Sequence, residues 1–124
     1  MNRILLLTLL INLNFIEAAE IKAYAIGIFD KKGNGENIQH TRKSKNDYNG
    51  ICYSKVILFS KYQKVNVEVE IGNSKGHFEK SISIFNKNKI KIAEELTFKH
   101  YSLKNGYFKV KVNGVLKDSK VYIK

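Results

Sequence analysis

The stretch Val65-Asn66-Val67-Glu68-Val69-Glu70-Ile71 decides the fold class. Its apolar residues fall at every second position, so Val65, Val67, Val69 and Ile71 point one way and Asn66, Glu68 and Glu70 the other. A helix would scatter these side chains around its axis. A strand gathers them on one face, which can be buried while the other stays in water. Phe108, Val110 and Val112 repeat the pattern against Lys109 and Lys111. Shorter versions are Tyr24-Ile26-Ile28, the run Val56 to Phe59, Ile82-Ile84, Ile90-Ile92 and Val121-Ile123. Together they predict about seven strands. Ala93-Glu94-Glu95-Leu96 reads as one helical turn, and no long amphipathic helix is present.

The punctuation between these runs agrees. Asp30 to Gly35, Gly72 to Gly76, Asn86 to Lys89 and Lys104 to Gly106 are clusters of turn-forming residues. Val112-Asn113-Gly114-Val115 is the strongest local signal, because Asn-Gly accepts the positive φ angles of a type I′ turn and so predicts a tight hairpin. Glu36 to Gly50 has no period and reads as a polar loop, long enough to bind something. Short strands at this spacing predict an all-β, antiparallel two-sheet sandwich, with a small β-barrel as the alternative.

The chain opens with Met1-Asn2-Arg3, followed by an apolar run from Ile4 to Ile16 that acidic Glu17 and Glu20 then close. The run is too short to span a bilayer, which takes about twenty apolar residues, and has the length of a signal-peptide core. A cut after Ala18 or Ala19 divides the chain into a signal peptide, 1–19, and a single β-sandwich domain, 20–124, exported to the periplasm or secreted. Removing Arg3 with Glu17 leaves the net charge at +11. Cys52 is the only cysteine, so no intrachain disulfide forms. An exported domain without crosslinks has to rely on packing, and Ile51-Cys52-Tyr53 reads as a strand in which Cys52 is a small buried hydrophobe.

No arrangement of catalytic, metal or cofactor residues emerges. His40, His77 and His100 are isolated, without a second ligand at zinc spacing, and read as solvated surface side chains. Glu68/Glu70 and Glu94/Glu95 are local carboxylate pairs, but nothing in their setting would drive two pKa values apart. Gly33-Asn34-Gly35-Glu36 lacks the Lys-Ser/Thr ending of a phosphate loop. Asp30, Asn34 and Glu36 alternate as calcium ligands would, but Lys31 and Lys32 intrude and no bidentate acid stands at the twelfth position.

Charge is the one global hint. Arg42, Lys43 and Lys45 crowd the long loop, beside Tyr48, and Lys109, Lys111, Lys117 and Lys120 occupy the C-terminal hairpin. On one sheet face they would attract an anionic surface polymer or engage a protein partner. The chain has 20 lysines against two arginines, which disfavours bidentate phosphate recognition and hence nucleic acid. Phe59, Phe85, Phe98 and Phe108 read as core, while Tyr48, Tyr53 and Tyr62 read as a candidate carbohydrate or peptide platform.

Val65 to Ile71 with its turn Asn73-Ser74-Lys75-Gly76, and Leu103-Lys104-Asn105-Gly106-Tyr107-Phe108-Lys109-Val110-Lys111-Val112 with Lys120-Val121-Tyr122-Ile123, resemble the C-terminal half of immunoglobulin-like sandwich modules of exported bacterial proteins. The resemblance implies a module that binds or connects and adds no catalytic residue. The resulting expectation is an exported, non-enzymatic binding module without a cofactor. A structural subunit of a cell-envelope or secretion assembly comes second, and a small secreted toxin or hydrolase last.

Overall fold

The computed structural model describes residues 21–60 and 65–124. The signal-peptide reading of 1–19, and Tyr62, lie outside the described residues. The architecture is all-β, with no helix among the described residues. The first sheet contains β1 (Lys22–Asp30), β2 (Gly35–Asn37), β3 (Gly50–Phe59), β6 (His77–Phe85) and β7 (Lys91–Leu103), in the order β2-β1-β3-β7-β6. The second contains β4 (Val67–Ile71), β5 (Ser74–Lys75), β8 (Gly106–Val112) and β10 (Tyr122–Ile123), in the order β10-β8-β4-β5, with β9 (Val115–Asp118) also paired to β8. All neighbouring strands are antiparallel. The arrangement is therefore two sheets rather than one closed barrel.

One core lies between the sheets. Ala23, Ala25 and Ile28 of β1, Cys52, Val56 and Leu58 of β3, and Leu96 and Phe98 of β7 meet Val69, Ile71, Phe108, Val110 and Val112 of the second sheet. Each fully buried Val, Ile, Leu or Phe contributes roughly 1.5–3 kcal/mol of burial free energy, and no crosslink is needed. Val69 and Ile71 are buried while Glu68 and Glu70 are exposed, as the opening heptapeptide predicts. At the predicted Asn-Gly hairpin Val112 pairs with Val115, and Asn113 and Gly114 take φ values of 51° and 81°.

Two expectations are corrected. In β1 the buried residues are Ala23, Ala25, Gly27 and Ile28, not the series Tyr24-Ile26-Ile28. The register shifts between Ala25 and Gly27, so a β-bulge inserts Ile26 and reverses which residues face the core. Ala93 to Leu96 is not a helical turn but part of β7, where ladders to β3 on one side and β6 on the other take up the backbone groups that a helical turn would use. The pairing outweighs local propensity.

Candidate functional site

The segment predicted as a free polar loop is tied down from within. Glu36 reaches across it and accepts the backbone N–H groups of Lys45 (2.7 Å) and Asn46 (3.0 Å), the Asn46 side-chain amide (3.2 Å) and the Tyr48 hydroxyl (2.8 Å). Burial acts to raise the Glu36 pKa, but these donors outweigh it and hold the carboxyl below its ordinary value. Burial and the neighbouring Glu36 carboxylate push the Tyr48 phenol up to about 12. Tyr48, expected to offer its ring to a partner, is instead buried at 5% exposure as a prop of the loop.

The same loop joins the second sheet. Lys43 forms a parallel bridge to Tyr122, the Ser44 N–H donates to Tyr122 C=O (2.9 Å), and the Tyr122 N–H donates to Arg42 C=O (2.9 Å). The buried Ser44 hydroxyl accepts the Lys124 N–H at 2.9 Å. Lys43 is therefore an added rung beside β10, whose other edge pairs Tyr122 with Tyr107 of β8. The Phe108 N–H bond to Val121 C=O (2.8 Å) carries that register one step on.

The structure thus brings Lys43 beside Tyr122 and sets Lys109 and Lys111 on the same solvent face as Tyr107, with Lys120 exposed in the segment that leads into β10. The Tyr107 and Tyr122 rings meet edge to face, with centroids 5.2 Å apart. Arg42 and Lys45 are exposed in the flanking loop, and Lys117 sits half-buried in β9. The charge is graded across this face. At the hairpin end Lys111 is opposite Glu68, and Lys109 is opposite Glu70, which is itself opposite Lys75. This alternating patch lines a shallow groove of about 390 Å³ that also includes Leu116. Toward the tyrosines no acid enters the register, and that end is cationic.

A second polar face escaped the sequence reading. On the outer side of the first sheet the Lys55 ammonium lies 4.7 Å from the Phe29 ring centroid, and Lys99 lies 4.9 Å from that of Tyr101 and 6.0 Å from that of Tyr53. His77 meets Tyr101 edge to face at 5.1 Å. The Phe29 ring lies over Gly27 and Gly35, where an added Cβ would come within 2.9 Å and 2.4 Å of it. These contacts join residues from five strands, β1, β2, β3, β6 and β7, which a linear reading does not bring together.

The histidines divide. His40 and His77 are exposed as expected, but His100 is fully buried, which corrects the surface reading. It shares a 2.8 Å hydrogen bond with the Ser54 hydroxyl at Nε2, and Nδ1 lies 3.2 Å from Ser74 C=O. A neutral ring fits both partners, with Nδ1–H donating to the carbonyl and Nε2 accepting from Ser54. Burial, against the Ser74 carbonyl and with help from His77, lowers its pKa to about 4. Cys52, opposite His100 in register, is fully buried, and burial with the nearby Asp30 raises its pKa. Such a thiol is the inverse of a reactive one. Among the described residues no three His, Cys, Asp or Glu side chains cluster as metal ligands would, and no helix is long and apolar enough to cross a membrane.

Comparison with protein-family models, curated proteins and solved structures finds no match in any of the three.

Proposed function

We propose that the protein is an exported, non-enzymatic binding module of immunoglobulin-like kind, and that its ligand is an anionic polymer of the cell surface held at the tyrosine end of the second sheet. The observation that carries this reading is the bridge of Lys43 to Tyr122, which makes the loop and the C-terminal hairpin parts of one surface. The exposed Tyr107 ring and the half-buried Tyr122 ring provide apolar contact for a sugar ring, and neighbouring lysines meet its charged groups. Lysines suit this task better than a phosphate-specific site, because they act as mobile point charges rather than fixed forks. The non-enzymatic reading is supported by the burial of His100 and of the Ser54 and Ser74 hydroxyls that it contacts, which closes them to a substrate.

Titrating the protein with a sulfated glycosaminoglycan as probe tests the proposal, with a neutral glucan as control. Binding to the charged polymer alone, weakening steadily with added salt, is the expected result. Equal binding of the neutral glucan, or affinity indifferent to salt, would overturn it. The assembly-subunit reading is favoured by a different observation, the open edge at β6.

A further inference from the structure

We infer that β6 is a self-association edge: two copies pair through antiparallel β6 strands, centred on Ser83, and join their five-stranded sheets into one. This surface lies on the opposite layer from the proposed ligand face and is independent of it.

β6 is the last strand of the wider sheet, and eight of its nine residues are exposed, with only Ile84 half-buried. The four-stranded path of the second sheet does not cover it, so the β6–β7 hairpin stands out beyond the core. Phe78, Ile82 and Phe85 on β6 are 61%, 50% and 59% exposed, and Ile90 and Ile92 at the start of the returning strand are 59% and 47%. A lone exposed apolar side chain needs no explanation, but this hairpin carries five, with Phe78 on the face of buried Phe98 and Ile82 on the opposite face beside Glu95. Pairing at the β6 edge covers Ile82, Ile84 and Phe85 of each copy, apolar side chains that water now reaches.

The other edges are protected and this one is not. β2 has three residues, β5 two and β9 four, while the outer side of β10 is taken by Lys43. Short or covered strands cannot template pairing, but a nine-residue open strand can. Because β2 at the far edge is too short to extend a ladder, the product is a closed two-fold dimer and not a fibre.

Charge fixes the register. Ser81-Ile82-Ser83-Ile84-Phe85 contains no charge. With Ser83 opposite Ser83 of the second copy, Ile82 faces Ile84, Ser81 faces Phe85, and Lys80 comes level with the neutral Asn86. Glu79, the strand's one acid, comes level with Lys87 of the second copy. Slipping the register by two residues, to centre on Ile82, would instead set Lys80 against Ile84 and Glu79 against Phe85.

Antiparallel partners at a self-paired position lie about 4.5–5.5 Å apart at Cα, within disulfide reach. Ser83→Cys should therefore form a disulfide-linked dimer under mild oxidation, while Asn88→Cys in the adjoining turn should not; the native Cys52 is buried and silent. Sedimentation should show the unmodified protein dimerising at micromolar to submillimolar concentration. Ile82→Lys should be monomeric with an unchanged urea midpoint, because Ile82 is half exposed and the change spares the core. A strict monomer up to millimolar concentration, or crosslinking of Ser83→Cys no faster than that of Asn88→Cys, would overturn the inference.

Discussion

The Asp118 carboxylate accepts the backbone N–H of Ala25 at 2.9 Å, across 93 residues of sequence. Asp118 is buried on β9 and Ala25 on β1, so this bond ties the edge of one sheet to the edge of the other. Its second oxygen accepts the Lys120 N–H at 3.2 Å and shapes the turn into β10. A carboxylate at the seam thus satisfies a donor that lies beyond the reach of the short β2.

Asp118→Ala leaves the Ala25 donor buried and unpaired. The expected cost is about 1–3 kcal/mol, seen as a lower urea midpoint at unchanged m value. Asp118→Asn, which keeps an acceptor oxygen, should lose less.

His100 makes stability depend on pH with a definite sign. Its folded pKa is about 4, below its ordinary 6.5, so the folded state resists protonation. Its contribution is complete above 6.5 and is lost as pH falls from there toward 4, a change on the order of 3 kcal/mol. Urea midpoints measured across that interval should fall with acid, and His100→Gln, less stable at neutral pH, should show a flatter profile. In proton NMR, the His100 ring signals should titrate well below the ordinary imidazole value of 6.5.

Glu36→Gln removes the charge that gathers four donors. Amide exchange at Lys45 and Asn46 should quicken by an order of magnitude or more while the core amides keep their protection. The Glu36 pKa is depressed, so its support is present above 4.5 and lost as pH falls below that value, and acid should loosen the same amides in the unmodified protein.

Gly72 and Gly106 pass back to back, where the β4–β5 and β7–β8 turns cross. A Cβ at Gly106 would lie 2.3 Å from the Gly72 Cα, and one at Gly72 would lie 2.7 Å from Asn105 C=O. Both contacts are with backbone, which cannot step aside. Gly106→Ala should cost at least 2 kcal/mol, roughly the range for forced overpacking, read as a fall in thermal midpoint.

The strands that face water on one side were legible in the sequence, because the period of two follows directly from the pleat. Val69, Ile71, Phe108, Val110 and Val112 are buried as the pattern requires. β1 misled because one bulge at Ile26 flips parity without leaving a mark in the sequence. Ala93 to Leu96 misled because its helix-compatible composition is overruled by two ladders. The lysines of the C-terminal hairpin could be located from the sequence, but not their acid partners across the strands. Tyr48 and His100 are polar residues whose burial depends on Glu36, Ser54 and Ser74, far away in the chain, and a linear reading does not bring such partners together.

One surface, built from the loop and the C-terminal strands, is proposed to hold an anionic polymer. The most direct test is the salt dependence of binding to the sulfated probe for Lys43→Gln/Lys109→Gln/Lys120→Gln, beside Lys55→Gln/Lys99→Gln on the other sheet. The slope of log affinity against log salt should shrink by roughly one unit per contacting lysine in the first variant, with a loss of affinity, and stay unchanged in the second. Equal losses in the two variants would show attraction to net charge alone and contradict the account.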